Sequence, residues 1–168
     1  MNLYIYYDIL INEMKEEIEL DEIDEKIIEM LQEDSRKTFV EIAKELGVSD
    51  PTIHVRVKKL QEAGVIEKFT AVLAPEKVEK GVAAFIEINV KPNMIEEIIR
   101  NLGRLDEVLE IHETFGEYDI IAKIRAKTNE DLRDLVVRKI RIIPNIVNTR
   151  VTTVLKTRKE EQLKITPE

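Results

Sequence analysis

Residues 49–63 gather side chains suited to one kind of chemistry, the recognition of a nucleic-acid duplex. On a helix at about 100° per residue, Ile53, Val57 and Leu60 share an inner stripe, while Pro51, Val55 and Lys58 fall about 140–200° away. Thr52, His54 and Lys59 flank that outer face. A helix entering the major groove needs such donors for base edges, and an exposed valine can meet a thymine methyl. Ser49 and Thr52, with the unpaired amides of the first turn, suit phosphate oxygens. Arg36 and Lys37 precede them and are placed for the DNA backbone. Arg56 falls beside the inner stripe, so a structural role and a phosphate contact both stand open. The plain alternative is a solvated helix face, since a single exposed valine proves nothing.

Other chemistries are poorly provided for. The chain has no cysteine, which excludes disulfide scaffolds, thiol catalysis and cysteine-ligated metals. The two histidines, His54 and His112, are too few for a histidine metal centre, and nothing beside His54 completes a site. No glycine pattern builds a phosphate loop, and no nucleophile motif or close carboxylate–histidine pair supports an enzyme. No metal and no cofactor is therefore expected. No apolar run approaches the ~18–20 residues of a membrane span. Met1 to Ile11 carries Asp8 and no basic start, a poor signal peptide. The expectation is a cytoplasmic protein with no membrane partner.

The formal net charge of −8 looks hostile to DNA, but the charge is unevenly laid out. Residues 1–35 hold 2 basic and 12 acidic side chains, residues 36–72 hold 7 and 5, and residues 73–168 hold 17 of each. The one net-basic block contains the candidate reading helix. Binding follows the charge at the contact face, whereas total charge mainly governs solubility and steering.

The elements that must position these residues follow from local signals. Asp21 and Asp24 cap a first helix with Ile23, Ile27, Ile28 and Leu31 at helical spacing. Thr38 with Glu41 forms a capping box for a second, whose inner face is Phe39, Ile42, Ala43 and Leu46. Gly47 stops it, Ser49 caps the third helix, and Pro51 sits in a first turn where it loses no hydrogen bond. Gly64 ends that helix. Residues 64–72 alternate like a strand or hairpin, and Pro75 to Gly81 reads as a polar linker. Beyond it come strands over 82–90, 108–114, 119–126 and 146–155, with helices containing Met94–Leu102 and spanning 129–140. This β-α-β-β-α-β order is the ferredoxin-like arrangement. The fold class is α+β: a winged helix-turn-helix domain of three helices at 20–66, a strand and linker at 67–81, and a ferredoxin-like domain at 82–156. An N-terminal extension (1–19) and a charged tail (157–168) flank them.

These residues carry a resemblance. Leu20–Asp21–x–x–Asp24, Ile27–Ile28–x–x–Leu31, Ile42–Ala43–x–x–Leu46–Gly47–Val48–Ser49, Thr52–Ile53–x–x–Arg56–Val57–x–x–Leu60 and Gly64–Val65–Ile66 resemble the DNA-binding domain of the Lrp/AsnC (feast/famine) transcription regulators, archaeal members included. The second domain resembles that family's effector and assembly domain, with Gly116–x–Tyr118–Asp119 opening its third strand. The resemblance covers about residues 20–156. It implies a regulator that binds palindromic double-stranded DNA as a homodimer, with further assembly to tetramers or octamers. It also implies an amino-acid effector near Thr114, Gly116, Tyr118 and Asp119. One departure is Phe115, where many relatives place a hydroxyl residue directly before the glycine. At this turn Asp119 can pair with an ammonium group or simply cap a strand.

An uncovered apolar sheet face, holding Phe85 or its neighbours with Ile120, Ile124 and Val151, is expected to seat a second copy. The competing reading is a ligand-sensing or assembly module without a DNA role; such a relict should have lost the outer lysines, yet Lys58 and Lys59 remain. In the extension, Tyr4, Tyr6 and Tyr7 cluster near the start, and Met14 offers an alternative translation start to Met1.

Overall fold

The computed structural model describes residues 19–78, 81–161 and 163–165. The chain forms two compact units. The first runs to Ala71 and regains the chain from Glu161 onward; the second spans Val72–Glu160. The N-terminal extension with its tyrosines and Met14 lies outside the described residues.

The first unit holds three helices: α1 (Glu22–Glu33), α2 (Phe39–Leu46) and α3 (Asp50–Glu62). Each begins where a short polar side chain can take up orphan amides. The Asp21 carboxylate accepts from the N–H groups of Ile23 and Asp24, both at 2.9 Å. At α2, Glu41 accepts from the Thr38 N–H at 2.8 Å while Thr38 caps Glu41. Gly47 ends α2 at φ +68°, the left-handed region that favours glycine. Ile27, Ile42, Ile53 and Leu60 are fully buried between the helices. Burying each such side chain contributes about 1.5–3 kcal/mol, which holds α3 by its inner stripe.

Residues 65–74 form no ladder, contrary to the strand or hairpin expected over 64–72. Ile66 packs on the helical core, but Phe69, Val72 and Leu73 are all exposed, and among the described residues no strand lies alongside. A short 3-10 turn, Pro75–Val78, interrupts the expected linker.

The second unit is a four-stranded antiparallel sheet in the order β2-β3-β1-β4, with β1 (Val82–Val90), β2 (Val108–Glu113), β3 (Ile120–Ala126) and β4 (Ile146–Thr153). Helices α4 (Ile95–Leu102) and α5 (Asn129–Asp134) complete the βαββαβ chain. The expected helix over 129–140 changes character halfway, becoming a π-turn over Leu135–Ile140. There the Arg141 N–H bonds Val136 O at 2.9 Å, five residues back. The wider turn brings Val136 and Ile140 nearer to one face, and both are buried in the core.

The sheet presents its faces otherwise than expected. Ile120 and Ile124 are fully buried in the core cluster, and Val151 packs against it. The open face instead carries Phe85, Glu87 and Asn89 on β1 and Ile121, Lys123 and Arg125 on β3, as the cross-strand register requires. Lys123 pairs with Glu110 at 2.8 Å and Arg150 Nη2 with Glu87 at 2.7 Å across the strands. The face is thus charged around a few apolar side chains. Its apolar area alone does not call for a partner there.

The charged tail also does more than trail in solvent. Gln32 of α1 donates its side-chain N–H to Leu163 O (2.7 Å) and accepts from the Ile165 N–H (3.0 Å), and Ile165 packs on the helical core.

Candidate nucleic-acid interface

The outward face of α3 is built as the spacing predicts. Ile53, Val57 and Leu60 are at most 2% exposed, while Val55 is 68% exposed. Thr52 caps back to Ser49, with Oγ to Oγ1 at 2.7 Å and the Thr52 N–H on Ser49 Oγ at 3.3 Å. Pro51 occupies the first turn. His54 stands on the same face with its ring edge-on to Phe39, centroids 4.7 Å apart. Its Nε2 lies 3.7 Å from Asp50 Oδ1. Phe39 and Asp50 thereby flank the exposed imidazole. Phe39 was legible only as a core residue; its second role depends on how α2 crosses α3.

The cations divide into free and committed. Lys58 is widely exposed and sits 3.4 Å from Glu62, an exposed pair that a phosphate can displace at little cost. Lys59 stands beside Thr52 and Val55 at an open cleft of 530 Å³ whose other rim, Glu19, Asp21 and Asp24, is acidic. Arg36 is almost fully exposed, with a long contact to Asp34. Lys37 is held by Glu45 at 2.8 Å, which raises its pKa chiefly through that hydrogen bond.

Arg56 turns inward. Its Nη1 lies 2.7 Å from both Asp21 Oδ2 and Asp24 Oδ1, and Asp24 is only 3% exposed. The two carboxylates raise the pKa of Arg56 further, Asp24 first, while Asp21 is lowered chiefly by the Asp24 N–H and then by Arg56. Arg56 is therefore a clamp between α1 and α3, and the phosphate contact entertained for it gives way to this geometry. Asp24 read in sequence as a helix cap; nothing local marks it as the partner of a residue 32 positions later.

The four candidate effector residues do meet at the turn joining β2 to β3. The Thr114 hydroxyl donates to Tyr118 O at 2.6 Å, and the Thr114 N–H to Asp119 O at 2.9 Å. Asp119 Oδ2 accepts from the Val90 N–H at 2.8 Å, so one carboxylate oxygen closes the end of β1 and only the other remains for a ligand. The Arg150 guanidinium lies 5.0 Å from the Tyr118 ring centroid. A Cβ on Gly116 would meet nothing within 4 Å, so the turn opens outward, with Phe115 fully exposed beside it.

Among the described residues no group of three or more histidine, cysteine, aspartate or glutamate side chains could hold a metal ion. No helix there is long and apolar enough to cross a membrane.

Comparison with known proteins agrees with this geometry. Residues 20–67 match the winged helix-turn-helix DNA-binding model and residues 83–163 the Lrp/AsnC ligand-binding domain. The chain is 43% identical over 143 residues to the HTH-type transcriptional regulator FL11 of Pyrococcus horikoshii, covering 85% of this chain and 94% of that protein. It is 39% identical over 141 residues to the HTH-type transcriptional regulator Ptr1 of Methanocaldococcus jannaschii, covering 84% and 95%. The structure of E. coli AsnC superposes with a TM-score of 0.83 at 32% identity, covering 88% of this chain and all of that one. With a two-unit fold, a helix-turn-helix unit and matches along most of its length, the chain belongs to the Lrp/AsnC family of HTH-type transcriptional regulators.

Proposed function

We propose that the chain is a non-catalytic, sequence-specific regulator that acts in the cytoplasm on double-stranded DNA. Two copies present two α3 helices to successive major grooves, and half-sites lie about one helical turn or a multiple apart. The observation that supports this most is the split of α3: a fully buried apolar stripe behind, and Thr52, His54, Val55, Lys58 and Lys59 in front. Ser49, Pro51, Thr52, His54 and Val55 are the residues assigned to the groove and its adjacent phosphate. Arg36, Lys58 and Lys59 are assigned to the backbone, with Lys37 at the rim. Arg56 is assigned to positioning.

The second unit is read as the sensing and assembly part, forming dimers and then tetramers or octamers. An amino acid held at Thr114, Gly116, Tyr118 and Asp119 shifts the spacing of the readers; the free oxygen of Asp119 suits an ammonium group. One structural neighbour, a Neisseria meningitidis transcriptional regulator at 27% identity and TM-score 0.78, was solved as its L-methionine complex, which supports this class of ligand.

Selection of bound duplexes from a random pool, with and without each of the common amino acids, tests the reading. The expected result is enrichment of an inverted repeat, with its affinity or spacing altered by at least one amino acid. A pool that stays unenriched at low salt would overturn the DNA assignment.

A further inference from the structure

The chain passes between its two units twice, and the passages are unlike. The first is long. Ile66 packs on the helical core before it, and β1 begins only at Val82. Between them the 3-10 turn Pro75–Val78 is the sole regular structure among the described residues. The second is short. Glu160 is anchored in the second unit, where its carboxylate accepts from Lys123 Nζ and from Arg125 Nη2, the latter at 3.1 Å. Leu163 is already anchored in the first unit, on Gln32 of α1. Glu161 and Gln162 alone lie between the two anchors.

The anchor on α1 is specific to one register. The Gln32 side chain donates to Leu163 O at 2.7 Å and accepts from the Ile165 N–H at 3.0 Å. An extended backbone offers such an acceptor and donor along one edge, as it does to one residue of a parallel neighbouring strand. A slip of one residue would turn both groups away. In this register Ile165 packs on the core that contains Ile27, Ile28 and Leu31 of α1, while Leu163 stays 90% exposed. Two exposed hydrogen bonds and one partly buried isoleucine open far more readily than the three-helix core beneath them.

Units joined by a single long connection reorient by default. A short second connection closes a loop and removes much of that freedom. We propose that residues 161–165 are a releasable strap on the reading unit. Docked on Gln32, the strap limits the swing of that unit in each copy and so sets which half-site spacings a dimer accepts; released, it lets other spacings bind. This rests on the reading of α3 as the DNA-reading helix.

The chain has no cysteine, so Glu29→Cys on α1 and Glu97→Cys on α4, both exposed positions, carry a pair of spin labels without competition. Labelled chain diluted into excess unlabelled chain reports distances within one copy. The expected distance distribution is roughly twice as broad in Ile165→Asp as in the parent, broadened also in Gln32→Ala, and unchanged in Ile165→Val. Hydrogen exchange in α3 should be the same in Gln32→Ala as in the parent, which separates release from unfolding. On duplexes with two half-sites, moving one site by about half a helical turn should cost the parent about tenfold in affinity and Gln32→Ala less than about threefold. An unchanged distribution in both Ile165→Asp and Gln32→Ala, faster exchange of α3 in Gln32→Ala, or an equal spacing penalty in that variant would each overturn the strap. Failure of every chain to bind any duplex at low salt would instead overturn the DNA reading, and the strap's role in spacing with it.

Discussion

Replacing Arg56 by methionine separates a positioning role from a DNA contact. Methionine keeps much of the apolar stem and removes the guanidinium, which leaves Asp24, at 3% exposure, without its cation. Breaking a fully buried ion pair costs about 3–5 kcal/mol; Arg56 is a quarter exposed at its side chain, so the loss falls lower, at about 2–3 kcal/mol. Asp21 adds little, because its half of the contact is open to water. In hydrogen exchange followed by mass spectrometry, amides of α1 and α3 should exchange roughly 30- to 150-fold faster, since every 1.4 kcal/mol is a factor of ten. Amides of β1 and β3 should not change. DNA affinity should fall with the salt slope preserved, because no phosphate contact is lost. The double variant Asp24→Asn with Arg56→Met should recover part of the loss, since no buried charge is then stranded. Unaltered exchange in α1 and α3, together with a salt slope reduced by about one unit, would refute the clamp and return Arg56 to the DNA backbone.

Lys58→Ala and Lys59→Ala should each weaken binding similarly on all sequences and flatten the salt slope by about one unit, measured by titration at several ionic strengths. His54→Ala should instead change the selected base preference, by about 1–3 kcal/mol at one position of each half-site; an unchanged profile removes His54 from the reading set. Gly47→Ala places a Cβ in open space but at φ +68°, so the strain alone should destabilise α2 by about 1 kcal/mol, visible as faster exchange in Phe39–Leu46. On acidification the caps of α1 and α2 should weaken. Asp21 and Glu41 are both held below the ordinary carboxylate range, Asp21 chiefly by the Asp24 N–H and Glu41 by the Thr38 N–H. A depressed folded pKa gives stability that is complete above the unfolded value and is lost as pH falls through the folded one, so protection in both helices should decline below about pH 4 and hold steady above it.

The reading helix was legible because every signal that makes it is short-range. Thr38 with Glu41, Gly47, Ser49 and Pro51 act on amides within one turn of themselves, and the Ile53–Val57–Leu60 stripe repeats at the helix period. Those residues specify the inner and outer faces of α3 whatever else the chain does. Strand faces were less legible. β3 begins Ile-Ile-Ala, apolar toward both sides, and a slip of one residue exchanges the faces; only pairing with β1 and packing under α4 and α5 set which isoleucine goes inward. The commitments of Arg56 and Glu160 were likewise invisible. Each depends on a partner more than 30 positions away, Asp24 for one and Lys123 with Arg125 for the other, and a charged side chain carries no mark of which distant charge it will meet. Local backbone chemistry determined where the elements begin and end. Folding alone decided which charges were removed from water and paired.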